Sequence, residues 1–221
     1  MLRAEAGQLY ELSDGNAVFL ARVERVGREA IEFVTLEPIP ARVPRLRATL
    51  LLAVVKFDRF EWALEKATEL GVEMIVPLAA ERSEKALVAA SAKRAERWRR
   101  ILAESAQQAR CLRVPALESA MSPKEAFAKV AGSTCVLLSE RPGAPRLRDV
   151  IEREAGERST QHSANDRVDV ALAVGPEGGW TDAEFSAATS AGFLEARLGE
   201  SILRTETAVA AGLAGLHVYF D

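Results

Sequence analysis

The 221-residue chain carries 29 Lys and Arg against 32 Asp and Glu, a net charge of −3, with 48% hydrophobic and 28% charged residues. Those values suit one globular domain, or a large and a small one, with a substantial core, and exclude a chain that is basic throughout. No apolar run approaches the ~20 residues of a membrane span. Met1-Leu2-Arg3-Ala4-Glu5 lacks the basic-then-apolar pattern of a signal peptide. The cysteines Cys111 and Cys135 sit in unrelated contexts, and His162 and His217 are the only histidines. A disulfide framework, a His-based metal site and a His-based triad are therefore not expected, and a cytoplasmic protein without metal is.

Residues 1 to about 43 alternate like strands. Gln8 to Ser13, Ala17 to Val26 and Ala30 to Leu36 are separated by Asp14-Gly15-Asn16 and Gly27-Arg28-Glu29, both turn chemistry, so an antiparallel meander is expected. Pro38, Pro40 and Pro44, with Arg42, Arg45 and Arg47, read as a linker in which proline stops regular structure. Thr49 to Val55 is a continuous apolar strand of the kind buried on both faces of a parallel sheet. Asp58 and Glu61 form a variant capping box for a helix spaced by Phe60, Leu64 and Ala67 and stopped at Gly71, with Trp62 on another face.

A short strand, Met74 to Leu78, precedes Glu81-Arg82-Ser83. The stretch from Ser91 to Arg113 then holds seven basic residues (Lys93, Arg94, Arg97, Arg99, Arg100, Arg110, Arg113) against Glu96 and Glu104. Its apolar stripe is Ala95, Trp98, Leu102, Ala106 and Ala109. Such a segment is either a local phosphate-attracting face or a solvated helix surface. Ser122-Pro123-Lys124-Glu125 is a capping box with proline at the first helical position, and Gly132 ends that helix. Thr134 to Leu138 is a buried strand running into Ser139-Glu140, and Gly156 to Arg167 reads as a polar surface loop in which His162 is an exposed bystander.

The C-terminal stretch carries the chemistry. An apolar strand, Val168 to Val174, drops into Gly175-Pro176-Glu177-Gly178-Gly179. Thr181-Asp182-Ala183-Glu184 then caps a helix that ends near Gly192. A second strand, Phe193 to Leu198, leads to a second glycine turn, Gly199 to Leu203. Arg204-Thr205-Glu206-Thr207 opens an alanine-rich final helix with Val209, Leu213, Leu216 and Phe220 on one face and Ala208, Ala211 and Ala214 around the rest. Strands alternating with helices from Thr49 onward imply an α/β fold with a largely parallel sheet. Two glycine turns at the ends of two neighbouring strands would build a crevice at its carboxyl edge, where open α/β sheets bind ligands. Neither the G-x-G-x-x-G dinucleotide fingerprint nor a P-loop is present.

Gly175-Pro176-Glu177-Gly178-Gly179, followed by Leu198-Gly199 and Ile202-Leu203-Arg204-Thr205-Glu206-Thr207-Ala208, resembles the signature of the RsmE-type ribosomal RNA methyltransferases of the SPOUT superfamily. The run Asp58 to Val72 and the triplet Glu81-Arg82-Ser83 are similar to the same family. The resemblance implies a SPOUT-type α/β knot over residues 44–221, with a parallel sheet and a C-terminal trefoil knot. A small PUA-like β domain over residues 1–43 would precede it. The motif resembling that domain's interior begins at Leu2-Arg3, so its first strand or so is expected to be missing.

The resemblance further implies S-adenosyl-L-methionine as cofactor, held bent by three loops. These are Leu138, Ser139 and Glu140; Gly175, Pro176, Glu177, Gly178 and Gly179; and Leu198, Gly199, Ile202 and Leu203. The implied reaction is methylation of N3 of a uridine in the decoding region of 16S ribosomal RNA, the partner being the small ribosomal subunit. Arg204 is the candidate cation for the uracil anion, and Glu206 or Glu177 the candidate base; Glu206 serves equally as a first-turn helix stabiliser. Lys56, Arg59, Arg82, Arg97, Arg100, Arg110 and Arg113 are the candidate RNA contacts, and a homodimer is implied. Two departures stand out. Gln107-Gln108-Ala109-Arg110-Cys111 replaces a Glu-Gln-x-Gly-Arg-like stretch, and Ser201 stands where the family often has arginine. Those departures and the short first domain leave room for a non-catalytic RNA-binding or ribosome-assembly protein. A SPOUT enzyme acting on tRNA would share the fold.

Overall fold

The computed structural model describes residues 4–40, 44–159 and 167–220. The N-terminal segment is an antiparallel sheet of β1 (Leu9–Ser13), β2 (Val18–Val26) and β3 (Ile31–Ile39), in that order. The meander follows from the turn chemistry, with Gly15 in the left-handed region at φ +86° and Asp14 Oδ1 accepting the amides of Asn16 and Ala17 at 2.8 Å. The backbone amides of the turn hold the Asp14 carboxyl below its ordinary pKa. The third strand runs through Pro38, against the expected proline stop. Pro38 faces Phe19 in the register, and an edge strand tolerates a residue without an N–H. Of the expected linker, Arg42 lies outside the described residues.

The remaining strands, β4 (Leu46–Ala53), β5 (Met74–Leu78), β6 (Ala116–Leu117), β7 (Thr134–Leu138), β8 (Val168–Val174) and β9 (Leu194–Ala196), form a parallel sheet in the order β6-β5-β4-β8-β7-β9. Helices α1 (Phe57–Glu69), α2 (Lys85–Gln108), α3 (Pro123–Lys129), α4 (Leu147–Ser159), α5 (Asp182–Ser190) and α6 (Thr205–Phe220) cover it. Strand β4 starts at Leu46, inside the expected linker, and shows why the sheet is buried on both faces. Leu50 and Leu52 join one cluster with Phe60, Leu64, Trp98, Leu213 and Leu216, from α1, α2 and α6. Leu51 and Ala53 join the other with Phe127, Trp180, Ala188 and Phe193, on the α3 and α5 side. Gly212 lets α6 lie close on the sheet, since a Cβ there would stand 2.9 Å from Leu172 Cδ2 and 3.1 Å from Leu138 Cδ1.

Both capping boxes at Ser122/Glu125 and Thr181/Glu184 form in full, side chain to backbone in each direction. The Asp58/Glu61 box does not. Helix α1 begins two residues earlier, with Lys56 as an N-cap that makes no side-chain bond, which moves Asp58 into the first turn. Glu61 is drawn away to Arg97, accepting from its Nε at 2.8 Å and its Nη2 at 2.8 Å. Helix α2 starts at Lys85 and ends at Gln108, so Trp98, Leu102 and Ala106 are buried while Ala109, past the last turn, is exposed.

Residues 156–159, expected in a loop, continue α4. Leu147, Val150 and Ile151 anchor that helix in the core, and it carries on for two turns past them. His162 lies outside the described residues. Cys135 is buried and Cys111 half-buried, its thiol donating to the Thr68 carbonyl at 3.4 Å; burial pushes the Cys111 pKa up. Among the described residues no helix is long and apolar enough to cross a membrane, and no group of three or more His, Cys, Asp or Glu could hold a metal ion.

Candidate active site

The two glycine turns do not belong to neighbouring strands: β7 lies between β8 and β9. Local pattern could not reveal that order, and it improves the site. The chain segments leaving β7, β8 and β9 now stand side by side at the carboxyl edge, and all three line a single cleft of about 540 Å³. Leu138, Ser139, Glu140, Gly175, Pro176, Glu177, Gly178, Gly179, Leu198, Gly199, Ile202 and Leu203 all line it, as do Arg59, Arg82 and Arg204.

Side chains that the sequence reading passed over tie the loops together. Trp180, 5% exposed, donates its indole N–H to the Leu138 carbonyl at 3.0 Å, joining the β8 loop to the end of β7. A Cβ on Gly175 would stand 2.9 Å from the Trp180 ring, so this glycine is required by the tryptophan. Thr205 Oγ1 donates to the Gly175 carbonyl at 3.2 Å and fixes the start of α6 to the same loop. Arg197 holds the second glycine turn by donating to the carbonyls of Ala144 at 2.9 Å and Gly199 at 3.2 Å. Arg141 lies over the Phe185 ring, 3.4 Å from guanidinium carbon to centroid, and pairs with Asp182 at the rim. A cation one residue after Glu140 and a tryptophan directly after Gly178-Gly179 were the available signals.

The loop after β5 also reaches the cleft. Arg82 donates to the Gly178 carbonyl at 2.7 Å, and the Glu81 amide donates to Glu184 Oε1 at 2.8 Å, so Glu184 serves both the α5 cap and this loop. A Cβ on Gly178 would stand 3.3 Å from Arg82 Cβ. Gly179 takes φ +70°, the left-handed conformation glycine adopts without penalty.

Of the candidate catalytic residues, Arg204 is exposed on the cleft, Glu177 pairs with Arg59, and Glu206 is drawn in behind them. The Glu206 side chain is 14% exposed; its Oε1 is 4.0 Å from Arg59 Nε, and its Oε2 is buried without a hydrogen-bond partner among the described residues. The candidate RNA contacts divide. Arg59 and Arg82 line the cleft, while Lys56 and Arg100 are exposed. Arg97 is engaged by Glu61, whose hydrogen bonds raise its pKa. Arg110, in the left-handed region at φ 54°, comes within 4.0 Å of Glu11. Arg113 donates to the Gly15 carbonyl and to Asn16 Oδ1 at 3.0 Å. Arg113 thereby ties the N-terminal sheet to the α/β unit, while the Arg110–Glu11 pair is exposed on both sides.

A family model described as an RNA methyltransferase domain matches residues 42–217. The chain belongs to the RNA methyltransferase family of that description. It is 30% identical to the ribosomal RNA small subunit methyltransferase E of Synechocystis, over 100% of this chain and 69% of that protein. It is 31% identical to the protein of that name from Mycobacterium bovis, over 98% of this chain and 80% of the relative. Among solved structures, that of ribosomal RNA small subunit methyltransferase E from Neisseria gonorrhoeae, bound to S-adenosyl methionine, superposes with a TM-score of 0.82. It is 29% identical and covers 98% of this chain and 85% of that one. A methyltransferase from Legionella pneumophila, also in complex with S-adenosyl methionine, gives 0.79 at 29% identity with the same coverage.

The residues of the cleft suit such a ligand. Its volume lies within the usual ~300–1,000 Å³ of small-molecule sites. Ile202 and Leu203 remain 79% and 38% exposed on its wall, apolar surface open to a ligand.

Proposed function

We propose that the protein transfers a methyl group from S-adenosyl-L-methionine to N3 of a uridine in the decoding region of 16S ribosomal RNA. The observation that carries this reading is the convergence of three loops, from three adjacent strands, on one cleft that Arg204 overlooks, in a chain of the RNA methyltransferase family. The cofactor supplies, when bound, a methyl carbon made electrophilic by its sulfonium. The chain's own residues supply the rest. The glycine turns let backbone approach the ligand closely, and Leu198, Ile202 and Leu203 give a dry wall for adenine.

The N3 of uracil is protonated at neutral pH and is a poor nucleophile until that proton leaves. Two carboxylates stand at this wall as candidate acceptors: Glu177 lines the cleft and is engaged by Arg59, and Glu206 lies behind it with its Oε2 buried. Arg204 faces the charge that develops on the uracil, where a preorganised cation acts most strongly. Loss of N3–H to this carboxylate pair lets the N3 lone pair form the N–CH3 bond as the S–CH3 bond breaks, its electron pair staying on sulfur as a neutral thioether, and the proton passes on to solvent.

The finer architecture belongs to the same reading. The chain leaves the edge strand β9, passes the cleft, and returns in α6 to pack on β4, β8 and α1, a course that supports a C-terminal trefoil knot. The antiparallel β1-β2-β3 sheet supports a PUA-like domain over residues 1–43. Incubation of purified protein with methyl-labelled cofactor and small subunits lacking the modification, followed by mass spectrometry of 16S ribosomal RNA, tests the proposal. Label on a single uridine N3 is expected; label on another base or on tRNA, or none, would replace it.

A further inference from the structure

Arg59 is the third residue of α1, just past the carboxyl end of β4, and thus reaches the cleft from a fourth strand beside β8. Its side chain is 26% exposed. Its Nη1 pairs with Glu177 of the first glycine turn, and its Nε lies 4.0 Å from Glu206 Oε1 at the start of α6. One guanidinium therefore serves two carboxylates that come from different loops. The two are not equivalent. Glu177 is 48% exposed and can be solvated by water, whereas Glu206 is 14% exposed. A carboxylate drawn that far from solvent needs a compensating charge, and among the described residues Arg59 is the cation within 4.0 Å of it.

We infer that Arg59 is a positioning residue of methyl transfer. Resting on the proposed function, this assigns it the task of holding the first glycine turn, through Glu177, and the start of α6, through Glu206, in one arrangement beside Arg204. The sequence reading made Arg59 an RNA contact, a role that would require its guanidinium to face a phosphate. The observed pairing directs it inward instead. Trp180 and Thr205 fasten the β8 loop to β7 and to α6; Arg59 fastens it to α1 and so closes the frame on the side of β4. A guanidinium is suited to this, since its fork can address two acceptors at once while an ammonium acts as a point charge.

The test uses Arg59→Gln, Arg59→Lys, Glu177→Gln and the Arg59→Gln/Glu177→Gln double variant of the full chain. Four quantities are measured: single-turnover methylation at saturating RNA, RNA affinity as a function of salt, S-adenosylmethionine affinity by calorimetry, and the thermal midpoint. Misplacement of reacting groups by about 1 Å costs on the order of 10²-fold in rate. Arg59→Gln should lose about that much in the single-turnover rate while RNA affinity and its salt slope stay within about twofold. Arg59→Lys should recover part of the rate.

The double variant should be no worse than Arg59→Gln in thermal midpoint, because the two residues act as one unit. A normal turnover rate combined with weaker RNA binding and a shallower salt slope would make Arg59 a phosphate contact and overturn the inference. Additive effects on the midpoint would overturn it too, and that measurement stands even if the wild-type chain methylates nothing. An inactive wild type with a coupled Arg59–Glu177 pair would reject the proposed reaction and keep the pair.

Discussion

Trp180 donates a hydrogen bond to the carbonyl of Leu138 across 3.0 Å, and this single contact spans two of the three loops of the cleft. The indole is buried, so its removal leaves a carbonyl without a partner at the end of β7. Trp180→Phe keeps much of the apolar volume and loses the donor. It should destabilise the fold by about 1–3 kcal/mol, the cost of a buried unsatisfied group. Gly175→Ala attacks the same contact from the other side, since its Cβ would meet the ring at 2.9 Å; overpacking of that kind costs about 1–3 kcal/mol. Denaturant unfolding of both variants measures this. Wild-type stability in both would mean that the Trp180 contact contributes nothing to holding the loops.

Gly178→Val should abolish S-adenosylmethionine binding, but through Arg82 as much as through the ligand. The added side chain would start 3.3 Å from Arg82 Cβ, and its branches would displace the arginine that donates to the Gly178 carbonyl at 2.7 Å. Calorimetry should show no saturable binding, with the far-ultraviolet spectrum of the fold unchanged. Arg82→Ala, which empties that space, should restore part of the binding to Gly178→Val. Unaltered affinity in the glycine variant alone would take this turn out of the cofactor site.

Two arginines on α2, three residues apart, should behave differently. Arg100 is exposed, so Arg100→Glu should weaken RNA binding and lower the salt slope by about 0.7–0.9 per lost phosphate contact, at unchanged thermal midpoint. Arg97 is bound by the Glu61 carboxylate, and Arg97→Glu would set two carboxylates against each other between α1 and α2. That variant should lower the midpoint as well. Salt titrations read by fluorescence anisotropy separate the two, and an unchanged slope in Arg100→Glu would leave α2 a solvated surface.

What could be read from the chain is what depends on near neighbours. Ser122/Glu125 and Thr181/Glu184 closed their capping boxes because a box is four residues of local chemistry. Asp58/Glu61, a variant with Asp at the first position, did not close, because Arg97 arrives from a helix 36 residues on and binds Glu61. The same limit applies to the sheet. Apolar runs marked β4, β7 and β8, but nothing in them records that β7 separates β8 from β9, which is what brings a third loop into the cleft. Pro38 stayed in a strand because β3 is an edge, a property of the sheet and not of the residue. Arg113 and Arg110 read as phosphate ligands by charge; their partners Gly15, Asn16 and Glu11 are about 100 residues away.

The helix α6 should form the contact between two copies of the chain. Its inward face is accounted for by Val209, Leu213, Leu216 and Phe220 in the core. Its outward face presents Thr207, Ala211, Ala214 and Val218, all exposed, with Val218 at 83%. Small residues at that spacing allow a second helix to approach closely, which supports the homodimer implied by the family resemblance. Sedimentation should give twice the 24.0 kDa of one chain. Val218→Glu should halve that mass; a dimer that survives the substitution must pair through another surface.

Arg204 closes the set. It stands exposed immediately before Thr205, at the positive end of α6, where a cation gains nothing from the helix dipole. A purely structural role is therefore a poor account of it, and its place on the cleft wall is a good one for meeting charge on a bound base. Arg204→Ala should leave S-adenosylmethionine affinity and the thermal midpoint near wild type. Single-turnover methylation should fall by about 10²–10³-fold, the usual loss when one preorganised partner of a developing anion is removed. Arg204→Lys restores the charge without the planar fork and should regain only part of that loss. Methylation by Arg204→Ala at a near-normal rate would assign the anion to another cation of the cleft, with Arg82 the next to test.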